Sequence, residues 1–408
     1  MMIGDRLRRA RLAAGLTLDE VVARLAARGR ALTKAGLSKY ERGGSTPSAS
    51  LLLLLAPVLG VRSTYFTEES SFAVTWVAFR AHSRLTQTRQ ERIKAVVGDL
   101  VAGQLGLQTA LYPGYTPTFP KASPVCTPED AEDAAARLRR AWELGTLPID
   151  SVTQTVEDNG GVVVGWDADE GQFDGISGWA NDTYPVTVVN RTVSVDRQRF
   201  NLAHELGHLV MRCETVTARD EEKLAHRFAS AFLMPAKPFL DALGMRRRHL
   251  DPSELALLKG RYGISMGALA HRAKDLDVID DGHYQTLCRE FSRLGWRRRE
   301  PFPYTGMEES TRLQQMTLHA LAEGVITRED ADRLCPGCVE LVTTIAEAEM
   351  SPQARLSARA LMRLPREDRD RVLAAAAAEA EVEYRTDHDL TDFAAFGEGD
   401  YYDATPAR

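Results

Sequence analysis

A chain of 408 residues is long enough for roughly two to four domains and a buried core. Its 44% hydrophobic and 26% charged residues are those of an ordinary soluble protein, and the longest apolar run, Leu51–Leu55 with its neighbours, is too short to span a bilayer. The net charge of −6 is unevenly spread: residues 1–42 carry ten Arg/Lys against four Asp/Glu, and residues 366–403 carry twelve Asp/Glu against four Arg, so the two ends suit different partners. Five cysteines (126, 213, 288, 335 and 338) are odd in number and sparse, which argues against a disulfide framework. The opening MMIGDRLRRARLAAG has Arg throughout and lacks the apolar stretch of a signal peptide, so a cytoplasmic protein is expected.

The basic head parses into short amphipathic helices. Ile3, Leu7, Ala10, Leu12 and Ala14 give an apolar stripe closed by Gly15. Thr17 with Glu20 forms a capping box ahead of Val21, Val22 and Leu25. Thr33 caps a helix carrying Leu37 and Tyr40 that ends at Gly43-Gly44, and Ser48 opens a strongly apolar one. Helix–turn–helix proteins put the second unit against base edges and basic residues on phosphates. Thr33, Lys34, Ser38, Lys39 and Arg42 are then the DNA-facing set, with double-stranded operator DNA as ligand and a homodimer as the binding form. The stretches GLTLDEVVARL, LSKYERGGSTPS and LGV before Tyr65-Phe66 resemble the phage-repressor-like (XRE-type) helix–turn–helix family over about residues 3–67. Two features depart from it: the insertion ARGRA lengthens the central turn, and Gly36 weakens the recognition helix by roughly 1 kcal/mol relative to Ala.

Residues 72–125 read as mostly helical, then as a Pro-rich linker at TALYPGYTPTFPKASPVCTP. Three Val-rich, turn-bounded runs follow, GGVVVGW (160–166), FDGISGW (173–179) and YPVTVVN (184–190), and read as strands.

RFNLAHELGHLVM (199–211) contains His204-Glu205-Leu206-Gly207-His208. A helix turns about 100° per residue, so His204 and His208 share a face and offer nitrogen to one ion, with Glu205 beside it. Zn²⁺ takes a third protein ligand and leaves a position for water, and Glu205 is placed to carry that water's proton. Phe200, Leu202, Ala203, Leu206, Leu209 and Val210 make the rest of the helix apolar. The third ligand is expected from DEEKLAHRFASAFLMP (220–235), where Glu221, Glu222 and His226 are available. Glu222 and His226 are four apart on one face, so one can ligate while the other supports by hydrogen bonding.

RFNLAHELGHLVM, EKLAHRFASAFLMP and GWRRREP (295–301), in that order, closely resemble the ImmA/IrrE-type (M78-like) metallo-endopeptidases over about residues 128–305. The resemblance implies Glu205 as catalytic base and His204, His208 and Glu222 as zinc ligands. It also implies that His226, standing where the family has Asn or Asp, is a supporting residue or a competing ligand.

Residues 250–275 have a helix–turn–helix look but read as a packing element despite Lys259, Arg261 and Arg272, and Arg297–Arg299 as structural or solvated. Cys335-Pro-Gly-Cys338 lacks a second Cys pair and reads as a turn. The acidic tail is punctuated by aromatics and resembles the tails of toxin-neutralising antitoxins, with Tyr384, Leu390 and Phe393 as anchors on a protein partner.

The expected architecture is multidomain and mainly α. It comprises an all-α helix–turn–helix head (1–68), a helical segment and linker (69–127), and a central α+β zincin-like peptidase with a small sheet (128–305). A helical region (306–363) and the acidic tail (364–408) follow. The expected function is a DNA-binding regulator that represses its own operon and cleaves a partner, either a repressor or a toxin. The alternative is a non-proteolytic antitoxin that binds a toxin through its tail, with the peptidase fold as scaffold.

Overall fold

The head has four helices, α1 (Ile3–Ala13), α2 (Leu18–Ala26), α3 (Lys34–Glu41) and α4 (Ala49–Leu59), and capping side chains start the last three. Thr17 and Glu20 form the reciprocal capping box, Thr33 Oγ1 accepts from the Gly36 amide at 3.1 Å, and Ser48 accepts from that of Leu51. Gly15 and Gly60 leave α1 and α4 at φ +69°, which an L side chain resists. Leu7, Val21, Leu25, Leu37, Leu55 and Phe66 are buried at the centre. Glu41 is not a surface charge: its carboxylate takes both arms of the Arg11 guanidinium at 2.6 and 2.8 Å, tying α3 to α1.

The chain is described here from a computed structural model at residues 3–67, 72–81, 86–167, 173–339 and part of 366–381. It divides into two compact units, Met1–Pro336 and Gly337–Arg408, and the elements that follow belong to the first. After the head come β1 (Val74–Ala81), α5 (Gln87–Leu111), β2 (Ser123–Pro124), α6 (Pro128–Ala141) and α7 (Val152–Asp158). Next are β3 (Val162–Trp166), β4 (Phe173–Ala180), β5 (Tyr184–Asn190), α8 (Val195–Val210), β6 (Met211–Arg212) and α9 (Ala218–Leu233). Six further helices complete the unit: α10 (Ala236–Leu243), α11 (Pro252–Tyr262), α12 (Met266–Asp275), α13 (Asp281–Arg293), α14 (Arg312–Ala322) and α15 (Arg328–Leu334).

The main sheet has the order β1-β4-β5-β3, with β4 antiparallel to both neighbours and β3 parallel to β5. Both faces are covered. Ile93, Val97, Val101 and Leu105 of α5 pack on Val162, Val164, Ile176, Val186 and Val188. On the other face, Val163 and Val189 meet Leu202 and Leu206 of α8, in a core continued by Phe228 and Phe232 of α9. Burial on two sides explains why these strands read as valine runs and not as alternating patterns. A second, two-stranded parallel sheet joins β2 to β6, and the fold among the described residues is mainly α around these small sheets, as expected from the sequence.

The reading of residues 72–125 as mostly helical and then a Pro-rich linker is corrected at two points. The first stretch is a strand, β1, that joins the sheet edge. The Pro-rich stretch is also packed: Pro117 fills the space beside Gly160, Thr118 N donates to Asn159 O at 3.1 Å, and Phe119 stands edge-on to Trp142 and Trp179. Between these two, α5 carries the head on its far side. Asp99 of α5 accepts from Arg9 at 3.3 Å and from the Tyr65 hydroxyl at 2.8 Å, and burial pushes both the Asp99 carboxyl and the Tyr65 phenol up. No helix among the described residues is long and apolar enough to cross a membrane.

Candidate functional site

Helix α8 is fixed along its length by charges that face inward. Arg199, fully buried, donates to the carbonyls of Ile149 and Asp150 and to the Glu308 carboxylate, each at 2.5–2.9 Å. Glu308 also accepts from the Val152 and Thr153 amides at 2.9 and 2.7 Å, so one carboxylate caps α7 and holds α8. Asp196 at the start of α8 pairs with Lys259 at 3.0 Å, and Lys259 pairs with Glu300 at 2.8 Å. Glu300 in turn takes the Met266 and Gly267 amides at the N-terminus of α12. The extended segment between Glu300 and Glu308 therefore ties α7, α8, α11 and α12 together. Lys259 and Arg272 are internal: Arg272 forks onto Glu132 at 2.6 and 2.9 Å. The helix–turn–helix look of α11 and α12 thus marks a packing element. Arg297–Arg299 lie exposed on the wall of a neighbouring cleft of about 1300 Å³.

The next turns of α8 present the motif. His204, Glu205 and His208 are 1%, 1% and 6% exposed, so their polar atoms face one another or a ligand and not bulk water. His204 Nε2 and His208 Nε2 are 3.1 Å apart. From α9, Glu222 Oε2 lies 3.4 Å from His204 Nε2 and Glu222 Oε1 lies 3.6 Å from His208 Nε2. A tetrahedral Zn²⁺ with bonds of about 2.1 Å separates its ligand atoms by about 3.4 Å. The pairwise separations are of that size, with Glu222 turning Oε2 to His204 and Oε1 to His208. Glu221, not singled out from the sequence beyond its place next to Glu222, accepts from His208 Nδ1 at 3.2 Å. That bond fixes the ring so that the Nε2 lone pair points at the shared space.

His226 takes part in a looser version of the same cluster. His204, Glu222 and His226 have ligand-type atoms all within 4.8 Å of one another. The ring of His226 stands 4.7 Å from that of His204 and stacks on Phe200 at 5.7 Å. His208 Nε2 stands 3.1 Å from His204 Nε2 and 3.6 Å from Glu222 Oε1. His226 also lines the 1300 Å³ cleft with Phe200, Asn201 and Lys223, so it stands between the cluster and open space.

Glu205 points towards β4. A Cβ built on Gly175 would stand 2.8 Å from Glu205 Oε1 and 2.9 Å from its Cγ, so glycine there is the space the carboxylate occupies. The sequence offered one hint, a glycine within a strand run.

On the head, Thr33, Lys34, Lys39 and Arg42 are exposed and Ser38 half-buried, along and just beyond α3. Thr33 is engaged as the N-cap, and Lys34 Nζ pairs with Asp19 at 2.6 Å across the solvent-facing turn. Lys39 and Arg42 are exposed at the helix end, where Arg42 Nε also donates to the Ser38 carbonyl at 3.3 Å. The tail residues Tyr384, Leu390 and Phe393 lie outside the described residues.

Comparison with known families places two matches on this framework. Residues 7–66 match the helix-turn-helix family profile, and residues 162–274 match the IrrE N-terminal-like domain of the M78 peptidases. The second match contains β3–β5, α8 and α9, and hence every residue of the His/Glu cluster. No curated protein matches the chain.

Proposed function

Because the chain joins a helix-turn-helix domain to an IrrE N-terminal-like peptidase domain, we propose that it is a transcriptional regulator whose second domain is a zinc-dependent endopeptidase. His204, His208 and Glu222 hold the zinc, and the observation that carries this is the convergence of their donor atoms at 3.1–3.6 Å. A zinc ion held there supplies Lewis-acid polarisation of water and of the peptide carbonyl. Glu205 accepts the proton of the attacking water and returns it to the leaving amine, a role that suits a buried carboxylate next to His204 in the helix and confined against β4. Glu221 keeps His208 in the tautomer that leaves Nε2 free to ligate. His226 and Phe200 border the cleft through which a protein substrate reaches these groups.

The head binds operator DNA as a homodimer, with Lys39 and Arg42 on phosphates and Ser38 towards the groove. It represses its own operon, and the partner cleaved is a repressor or a toxin.

Two measurements test the reading. Metal analysis of the purified chain should give one zinc per chain, lost in His204→Ala and retained in Glu205→Gln. The Glu205→Gln protein should still bind the upstream DNA of its own gene while cleaving no partner protein. Full cleavage by Glu205→Gln, or no zinc in the wild type, would overturn the assignment.

A further inference from the structure

A peptidase of this design holds its substrate as an extended strand on a sheet edge beside the metal, because backbone hydrogen bonds to an edge present any sequence in one geometry. In this chain the strand bordering Glu205 is β4, through Gly175. One side of β4 is paired with β5. The other side, where a peptide would add, holds β1, which runs antiparallel to β4 and lies against α8 as well. The register sets Ala78 opposite Ser177, Phe79 opposite Ile176 and Arg80 opposite Gly175. The chain's own connector from the head thus runs along the peptide-binding edge, level with Glu205.

We infer that β1 is a built-in shield: it fills the peptide-binding edge in the resting protein, and an extended substrate peptide has to replace it. This deepens the peptidase reading above and rests on it. The strand is anchored at its beginning and irregular where it faces the site. Asn181 Oδ1 takes the Ala73 amide at 2.9 Å, and Asn181 N donates to Ala73 O at 3.0 Å. Val74 and Trp76 pack on the α5 side of the sheet. At Gly178 a Cβ would stand 2.5 Å from Thr75 O, so the sheet is shaped to admit this strand. Beyond that point the ladder breaks register twice, between Trp76 and Ala78 and between Arg80 and Ala81, on either side of the stretch opposite Gly175. Each break interrupts the ladder's regular pairing. The half of β1 nearest Glu205 is therefore bounded by an irregularity on each side, which is where a competing strand can begin to displace it.

The test uses the full chain in the Glu205→Gln background and a fluorescein-labelled peptide copying residues 72–81. Thr75→Pro with Trp76→Pro removes amides of both orientations and should detach β1. The labelled peptide should bind this variant at least tenfold more tightly than it binds Glu205→Gln alone, with zinc content unchanged. In the zinc-loaded Glu205 background, the same prolines and, separately, Gly178→Val should raise hydrolysis of unfolded casein at least tenfold. Equal peptide binding with and without the prolines, or binding to neither, would overturn the inference. So would scission of the wild-type chain within residues 74–81, since the strand would then be a substrate. If the peptide binds as expected and casein is never cut, the peptidase reading fails and the strand's place stands. If casein is cut equally by all forms, the reverse holds.

Discussion

Gly175→Ala places a methyl group where the Glu205 side chain now lies. Its Cβ would stand 2.8 Å from Oε1, 2.9 Å from Cγ and 3.1 Å from Cδ, whereas ordinary contacts begin at 3.4 Å. The carboxylate must therefore retreat by about 0.6 Å, or β4 must move away from α8. The overpacking costs about 1–3 kcal/mol of stability, which leaves the protein folded. His204, His208 and Glu222 do not touch Gly175, so zinc content should stay at the wild-type level. Catalysis is more sensitive than stability, because a shift approaching 1 Å in a positioned group lowers rate by up to about 10²-fold. The expected result is one zinc per chain with a 10- to 100-fold fall in cleavage of the partner protein, or of casein in a β1-detached variant. The assay pairs metal analysis with densitometry of cleavage products over time. A Gly175→Ala protein that cleaves at the wild-type rate would show that Glu205 is not confined by β4, and the account of its positioning would fail.

Three further outcomes follow from the same geometry. Glu308→Ala leaves the buried Arg199 guanidinium without its carboxylate partner and removes the acceptor of the Val152 and Thr153 amides, so urea denaturation should show a loss of about 3–5 kcal/mol; a loss below about 1 kcal/mol would mean the pair is not holding α8. Glu221→Gln should weaken zinc affinity by about 10- to 100-fold in a chelator competition, since the His208 ring loses a charged acceptor. Burial pushes the Glu157 carboxyl up from 4.5 to about 7, with Ser310 donating to it at 2.5 Å. Its neutral form is the one the fold favours. That contribution is complete below about pH 4.5 and is lost as pH rises through about 7, so Glu157→Gln should gain about 3 kcal/mol over wild type between pH 4 and pH 8 in denaturant titrations.

What the sequence determined by itself is whatever depends on short-range chemistry. N-caps fixed the starts of α2, α3 and α4, because the side-chain oxygens of Thr17, Thr33 and Ser48 meet an amide three residues on as the helix begins. The i, i+4 spacing put His204 and His208 on one face, and two turns of apolar residues announced that the face would be buried. The valine runs declared strands covered on both sides. Glu222 needed a family resemblance, because nothing local distinguishes it from Glu221 one residue earlier. Tertiary structure alone decided the rest. It set Glu222 towards both histidines and Glu221 behind one of them, it made Glu308 the partner of a helix 109 residues away in sequence, and it turned Lys259 and Arg272 inward. It also paired residues 74–81 with β4, with Val74 and Trp76 packed on the α5 side of the sheet. The β-branched and aromatic run Val74-Thr75-Trp76-Val77 carries a strand preference of its own, but which sheet edge it completes is a long-range choice that no local pattern specifies.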